Sequence, residues 1–114
     1  FEIVLSSMTR HPTVASVQIQ GCRALGNLCY GSRENSIFCR AQGGVSVILH
    51  AMKTCHVIED VFIKACYALS VVLRNDPKAI DHLKGFEMVD IIVERMIMNN
   101  QNAAIQRLGC AVMW

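Results

Sequence analysis

Val45, Ile48, Leu49 and Met52 follow one another at spacings of three, one and three, which puts all four on one face of an α-helix. A longer stripe of the same kind runs upstream. There Val14, Val17, Gly21, Ala24, Leu25 and Leu28 share one face, with Ile19, Cys22 and Cys29 beside it. The polar positions left over in that segment, Ser16, Gln20, Arg23 and Asn27, form a strip spaced four, three and four. A helix that is wet along one thin strip is covered by neighbours on both sides. The pattern therefore predicts stacked helices with one row of polar side chains left open.

Helix ends follow from local chemistry. Ser32 can cap a helix running from Arg33 to Gln42, and Gly43 and Gly44 then break the chain. The longest helix is predicted from Val57 to Arg74, with Glu59 and Asp60 in its first turn, where carboxylates favour the helix dipole. Asp76-Pro77 reads as an N-cap followed by proline at the first helical position, opening a further helix that Gly85 terminates.

These elements recur. A step of about 44 residues carries Val17, Ile19, Cys22, Ala24 and Leu25 onto Val61, Ile63, Cys66, Ala68 and Leu69. A second step carries Val61, Cys66, Ala68 and Leu69 onto Ile105, Cys110, Val112 and Met113. The preceding helix obeys it too: Ile3, Val4, Leu5 and Met8 map onto Val47, Ile48, Leu49 and Met52, then onto Ile91, Ile92, Val93 and Met96. Across residues 1–26, 45–70 and 89–114, nine of 26 columns are apolar in all three copies. Random placement at this composition would give about 4, so the step marks a structural repeat. One further column holds Gly21, Ala65 and Gly109, small in every copy, as close helix approach requires.

VQIQGCRALGNL, residues 17–28, resembles the third helix of the armadillo repeat, and NSIFCRAQGGVSVILHAM, residues 35–52, resembles its first and second helices with their Gly-Gly junction. The similarity is greatest to the subgroup found in large multidomain cytoplasmic proteins. It divides the chain into a partial repeat at 1–31, a full repeat at 32–75 and a nearly full one at 76–114. The resemblance implies an all-α, right-handed superhelix of roughly two and a half repeats, with third helices lining a concave groove. The partner-binding candidates it implies are Gln20, Arg23, Asn27, Lys64, Tyr67, Val71 and Arg74. In the nuclear-import branch of the family, recurring Trp and Asn hold a basic peptide. The matching positions here are Arg23, Tyr67 and Ala111 for Trp, and Asn27 and Val71 for Asn. With one aromatic and one Asn among them, the resemblance implies general protein binding along the groove.

Composition narrows the function classes. The net charge is +2 and the basic residues are scattered, so no nucleic-acid footprint is expected. The longest apolar runs are too short for a membrane span, and no signal-peptide pattern is present. The chain opens at Phe1 and closes at Trp114 within an apolar pattern, which reads as a piece of a longer array. Uncapped ends of such an array are expected to self-associate.

The six cysteines, Cys22, Cys29, Cys39, Cys55, Cys66 and Cys110, include no Cys-x-x-Cys pair and read as reduced packing groups of a cytoplasmic protein. Met8, Met52 and Met96 recur at the repeat step and are expected in the core. Cys55-His56 is an isolated adjacent pair. His11 and His56 fall in turns, His50 and His82 on outward helix faces, and neither a catalytic constellation nor a metal-ligand spacing appears. Gly43-Gly44 lacks the strand and lysine of a phosphate loop. The reading is thus a non-enzymatic scaffold without cofactor or metal. It holds an extended segment of another protein, or of its own chain, in the groove. The alternative is a spacer in a large multidomain, cytoskeletal or ciliary protein, with its contacts at the array ends.

Overall fold

The computed structural model describes residues 1–55, 57–78 and 86–113. Among these, every regular element is helical and no strand occurs. The helices are α1 Glu2–Arg10, α2 Ala15–Cys29, α3 Arg33–Ala41, α4 Gly44–Thr54, α5 Glu59–Asn75, α6 Phe86–Met98 and α7 Ala103–Met113.

The expected signals act at the start of α3 and at its junction with α4. Ser32 is the N-cap of α3, and its hydroxyl accepts a hydrogen bond from the Asn35 backbone N–H at 3.1 Å. Gly43 sits at φ +80°, the left-handed conformation that lets α3 stop and α4 start within two residues. The long helix begins at Glu59 instead of Val57, because Val57 lies in the turn and Ile58 is extended.

Asp76 ends α5: its N–H donates to the Val72 carbonyl, and its buried carboxylate accepts from Arg40 Nε at 2.5 Å. That charge-assisted bond ties the last turn of α3 to the end of α5. The helix expected after Pro77 and the break expected at Gly85 lie outside the described residues, as do His56, His82 and Trp114.

The helices related by the repeat step pack side by side in chain order, α2 against α5 and α5 against α7. Each has the preceding helix of its copy as a companion, α1 on α2, α4 on α5 and α6 on α7, and α3 wedges against α2 and α5. The result is compact, with extents of 36 × 29 × 23 Å. Met8, Leu25, Ile48, Met52, Leu69, Ile92 and Ile105 are among the largest fully buried side chains.

The step of about 44 residues is visible in contacts as well as in residue types. A Cβ at Gly21 would run into the Met8 side chain, and one at Gly109 into Met96 and Ile92. The Gln18 amide donates to the carbonyls of Met8 and His11, at 3.0 and 2.8 Å. Two steps on, the Gln106 amide makes the same pair of bonds, to Met96 and Asn99, at 2.8 and 3.1 Å.

The three recurring cysteines do not share one environment. Cys22 and Cys66 are fully buried, as expected of packing groups, whereas Cys110 is exposed. Cys22 lies on α2 and Cys66 on α5, each with a further long helix packed alongside; among the described residues none follows α7. No helix among the described residues is long and apolar enough to cross a membrane.

Candidate functional site

The polar strip of α2 is open to solvent: Ser16, Gln20, Arg23 and Asn27 are all exposed. They face outward because the helix uses its other sides for α1, α3 and α5. On α5, Lys64 and Tyr67 are half-buried and Arg74 is exposed.

The structure brings two of these candidates into contact. The Tyr67 ring lies against Gly26 of α2, where any Cβ would collide with it, and the Tyr67 hydroxyl donates to Asn27 Oδ1 at 2.8 Å. A half-buried aromatic is thereby held across the junction of two helices, with its hydroxyl bond exposed, and tyrosine is a residue type common at binding hot spots. Gly26 was not among the sequence candidates. The step gives no signal for it, since its column holds Gly26, Ser70 and Trp114.

Val71 departs from the expected strip. It is 7% exposed and belongs to the core. With α2 and α7 packed on either side, α5 has little free surface there, and burying a valine side chain is favourable by roughly 1.5–3 kcal/mol. The strip on α5 is thus carried by Lys64, Tyr67 and Arg74, with exposed Asp60 near its start. Arg23, Lys64 and Arg74 outnumber that one carboxylate, so the surface leans basic.

The cysteines offer packing in place of chemistry at most positions. Burial pushes the Cys22 thiol up to about 12, helped by Cys55, and pushes Cys66 up to about 12, helped by Cys22. A thiol held that far above its ordinary value of 9.0 carries almost no thiolate near neutrality. Cys39 is also raised, by its hydrogen bond with Cys29 and then by burial. Cys55 Sγ donates to the Pro12 carbonyl at 3.6 Å. His11 and His50 are exposed. Among the described residues, no group of three or more His, Cys, Asp or Glu side chains is placed to hold a metal ion.

Comparison with known proteins adds one relative. The chain is 34% identical over 82 residues to Protein aardvark of Dictyostelium discoideum. That match covers 65% of this chain and 11% of that protein's length. No protein-family profile matches the chain, and no solved structure matches it.

Proposed function

We propose that the chain is an armadillo-type segment that binds protein, using the strip of α2 and α5 to hold an extended segment of a partner. The observation carrying this reading is the Tyr67–Asn27 pair: an aromatic seated on Gly26 and tied across two helices by one exposed hydrogen bond. Asn27 and Tyr67 stand one step apart less four residues, so each lies on its own copy of the same helix and the strip runs on from one copy to the next. Exposed Gln20 and Arg23 extend it along α2, and Lys64 and Arg74 along α5. A partner that fits is an unstructured segment with carboxylates set against the arginines and lysine, and an amide or apolar group against the Tyr67 ring.

The superhelix belongs to the same proposal: its repetition is supported by the recurring Gln18 and Gln106 bonds and by the chain-order packing of α2, α5 and α7, and its right hand follows from the family resemblance alone. Catalysis is not part of it, and thiols pushed up to about 12 at Cys22 and Cys66 suit packing better than nucleophilic attack. A reducing cytoplasmic setting suits five cysteines buried as packing groups and a sixth with an exposed thiol.

The test is selection of acidic, unstructured peptides from a displayed library on the chain, followed by titration of the winners. The Asn27→Ala, Tyr67→Ala double variant is expected to weaken them at least about tenfold with unchanged far-UV circular dichroism. Peptides that bind both forms equally would remove the strip as the site.

A further inference from the structure

Cys29 closes α2 and Cys39 sits in the last turn of α3, and both are fully buried. Asn75, the last residue of α5, ties the two helices together there. Its amide donates to the Cys29 carbonyl at 2.8 Å and to the Ser36 hydroxyl at 3.2 Å. Ser36 is itself buried and stands roughly one helical turn before Cys39, so the two share a face of α3. The thiols meet on that face. Cys39 hydrogen-bonds to the Cys29 sulfur, and the Ser36 hydroxyl, whose oxygen already accepts from Asn75, bonds the same sulfur. From the other side, α4 packs directly on the Cys39 sulfur, where a Cβ at Gly44 would overlap it.

The remaining buried cysteines are held differently. Cys55 donates to the Pro12 carbonyl, and burial governs Cys22 and Cys66. At Cys29 the bond from Cys39 favours the thiolate, burial opposes it and the Ser36 bond assists, so the thiol is held below its ordinary value of 9.0. Cys39 is pushed the other way. One sulfur of the pair is thus set up as nucleophile and the other keeps its proton.

We propose that Cys29 and Cys39 are a peroxide-sensitive thiol pair, which closes to a disulfide joining the end of α2 to α3. The Cys29 thiolate attacks one oxygen of hydrogen peroxide. The O–O bond breaks, the sulfur is oxidised to sulfenic acid, and the departing hydroxide takes up the proton that Cys29 released, leaving as water. The Cys39 sulfur then attacks the Cys29 sulfur. The displaced hydroxide leaves with the Cys39 proton as a second water, and the S–S bond forms. Entry is at a helix end: exposed Tyr30 and Gly31, at φ +69°, follow Cys29, and helix ends open more readily than helix middles. The bond pins α2 to α3 two residues beyond Asn27, and thiol reductants reverse it. The proposal rests neither on the Tyr67 strip nor on the repeat reading.

The test is peptide mapping of the folded Cys110→Ser chain, which lacks the exposed thiol, after exposure to hydrogen peroxide and alkylation of the thiols that remain. Trypsin cuts after Arg23, Arg33 and Arg40, so Cys29 falls on residues 24–33 and Cys39 on residues 34–40. The expected product is a disulfide linking those two peptides, reopened by a thiol reductant. In a Cys39→Ala, Cys110→Ser chain the reaction stops at the Cys29 sulfenic acid, which dimedone traps on residues 24–33. Oxidation of exposed Met98 to its sulfoxide in the same digest shows that enough peroxide was present. Intact Cys29 and Cys39 thiols in a sample whose Met98 is oxidised would overturn the proposal. So would a disulfide between any other two cysteines, or separate oxidation of the two sulfurs without a link.

Discussion

Gln18 is 2% exposed on an otherwise apolar face, and its amide satisfies carbonyls at the end of α1 that have no partner within that helix. Removing it leaves the buried Met8 carbonyl without that donor, whereas the carbonyl of exposed His11 keeps its bond from the Val14 N–H; the loss costs about 1–3 kcal/mol. We expect Gln18→Leu to lower the unfolding free energy by that amount, read from urea midpoints. A loss under about 0.5 kcal/mol would mean that water reaches the carbonyls instead. Nothing in the local pattern marks Gln18 as different from the exposed Gln20 two residues on. The difference is set by the end of α1 lying above it, which depends on packing. The one available clue is recurrence: Gln18 and Gln106 stand two steps apart, with buried Phe62 in the column between them. Tyr67 was recognisable in advance as an aromatic on a polar strip, but its Gly26 seat was not, because that contact crosses from one helix to another.

Helix limits were legible wherever a single residue decides them, as Ser32 does for α3 and Gly43 for the turn into α4. They slipped by a residue or two where the end has no such residue, as at the start of α5. The small residues inside helices divide by what they touch. A Cβ at Gly44 would meet Cys39 Sγ and, at 2.9 Å, the Cys39 carbonyl oxygen, which cannot move without disturbing α3. Gly44→Ala is expected to cost about 1–3 kcal/mol through overpacking. At Gly21 the added atom would meet side chain only, Met8 Cγ and Sδ, with no backbone in the way, and Ala65 already occupies the same column fully buried. There the helix propensity gained, about 1 kcal/mol, offsets the crowding, so Gly21→Ala should change stability by less than about 1 kcal/mol. Thermal unfolding of the two variants side by side checks the contrast. Equal losses would show that Met8 is as rigid as backbone.

For the molecule as a whole, the repeat step made the order of packing readable, because residues one step apart do the same work in successive layers. Exposure at the ends was not readable: Cys110 has the neighbours of Cys22 and Cys66 in sequence and differs from them only in what packs beyond it. The two buried thiols give the stack a pH response whose sign can be worked out. In the unfolded chain each ionises near 9.0; in the folded chain burial holds each up to about 12. Between those values the unfolded state has released protons that the folded state retains, so unfolding gains free energy as pH rises. Stability should be flat with respect to these groups below about pH 9. Above that it should fall by up to about 1.4 kcal/mol per pH unit for each thiol, until the folded state itself ionises. Urea midpoints of the reduced chain at successive pH values from neutrality upward measure the slope. The Cys22→Ala, Cys66→Ala variant starts less stable, since each change opens space in a packed layer, yet it should lose stability less steeply above pH 9. Parallel curves for the two proteins would mean that water reaches these layers, and that the helices are not packed closely enough there to keep a thiol dry.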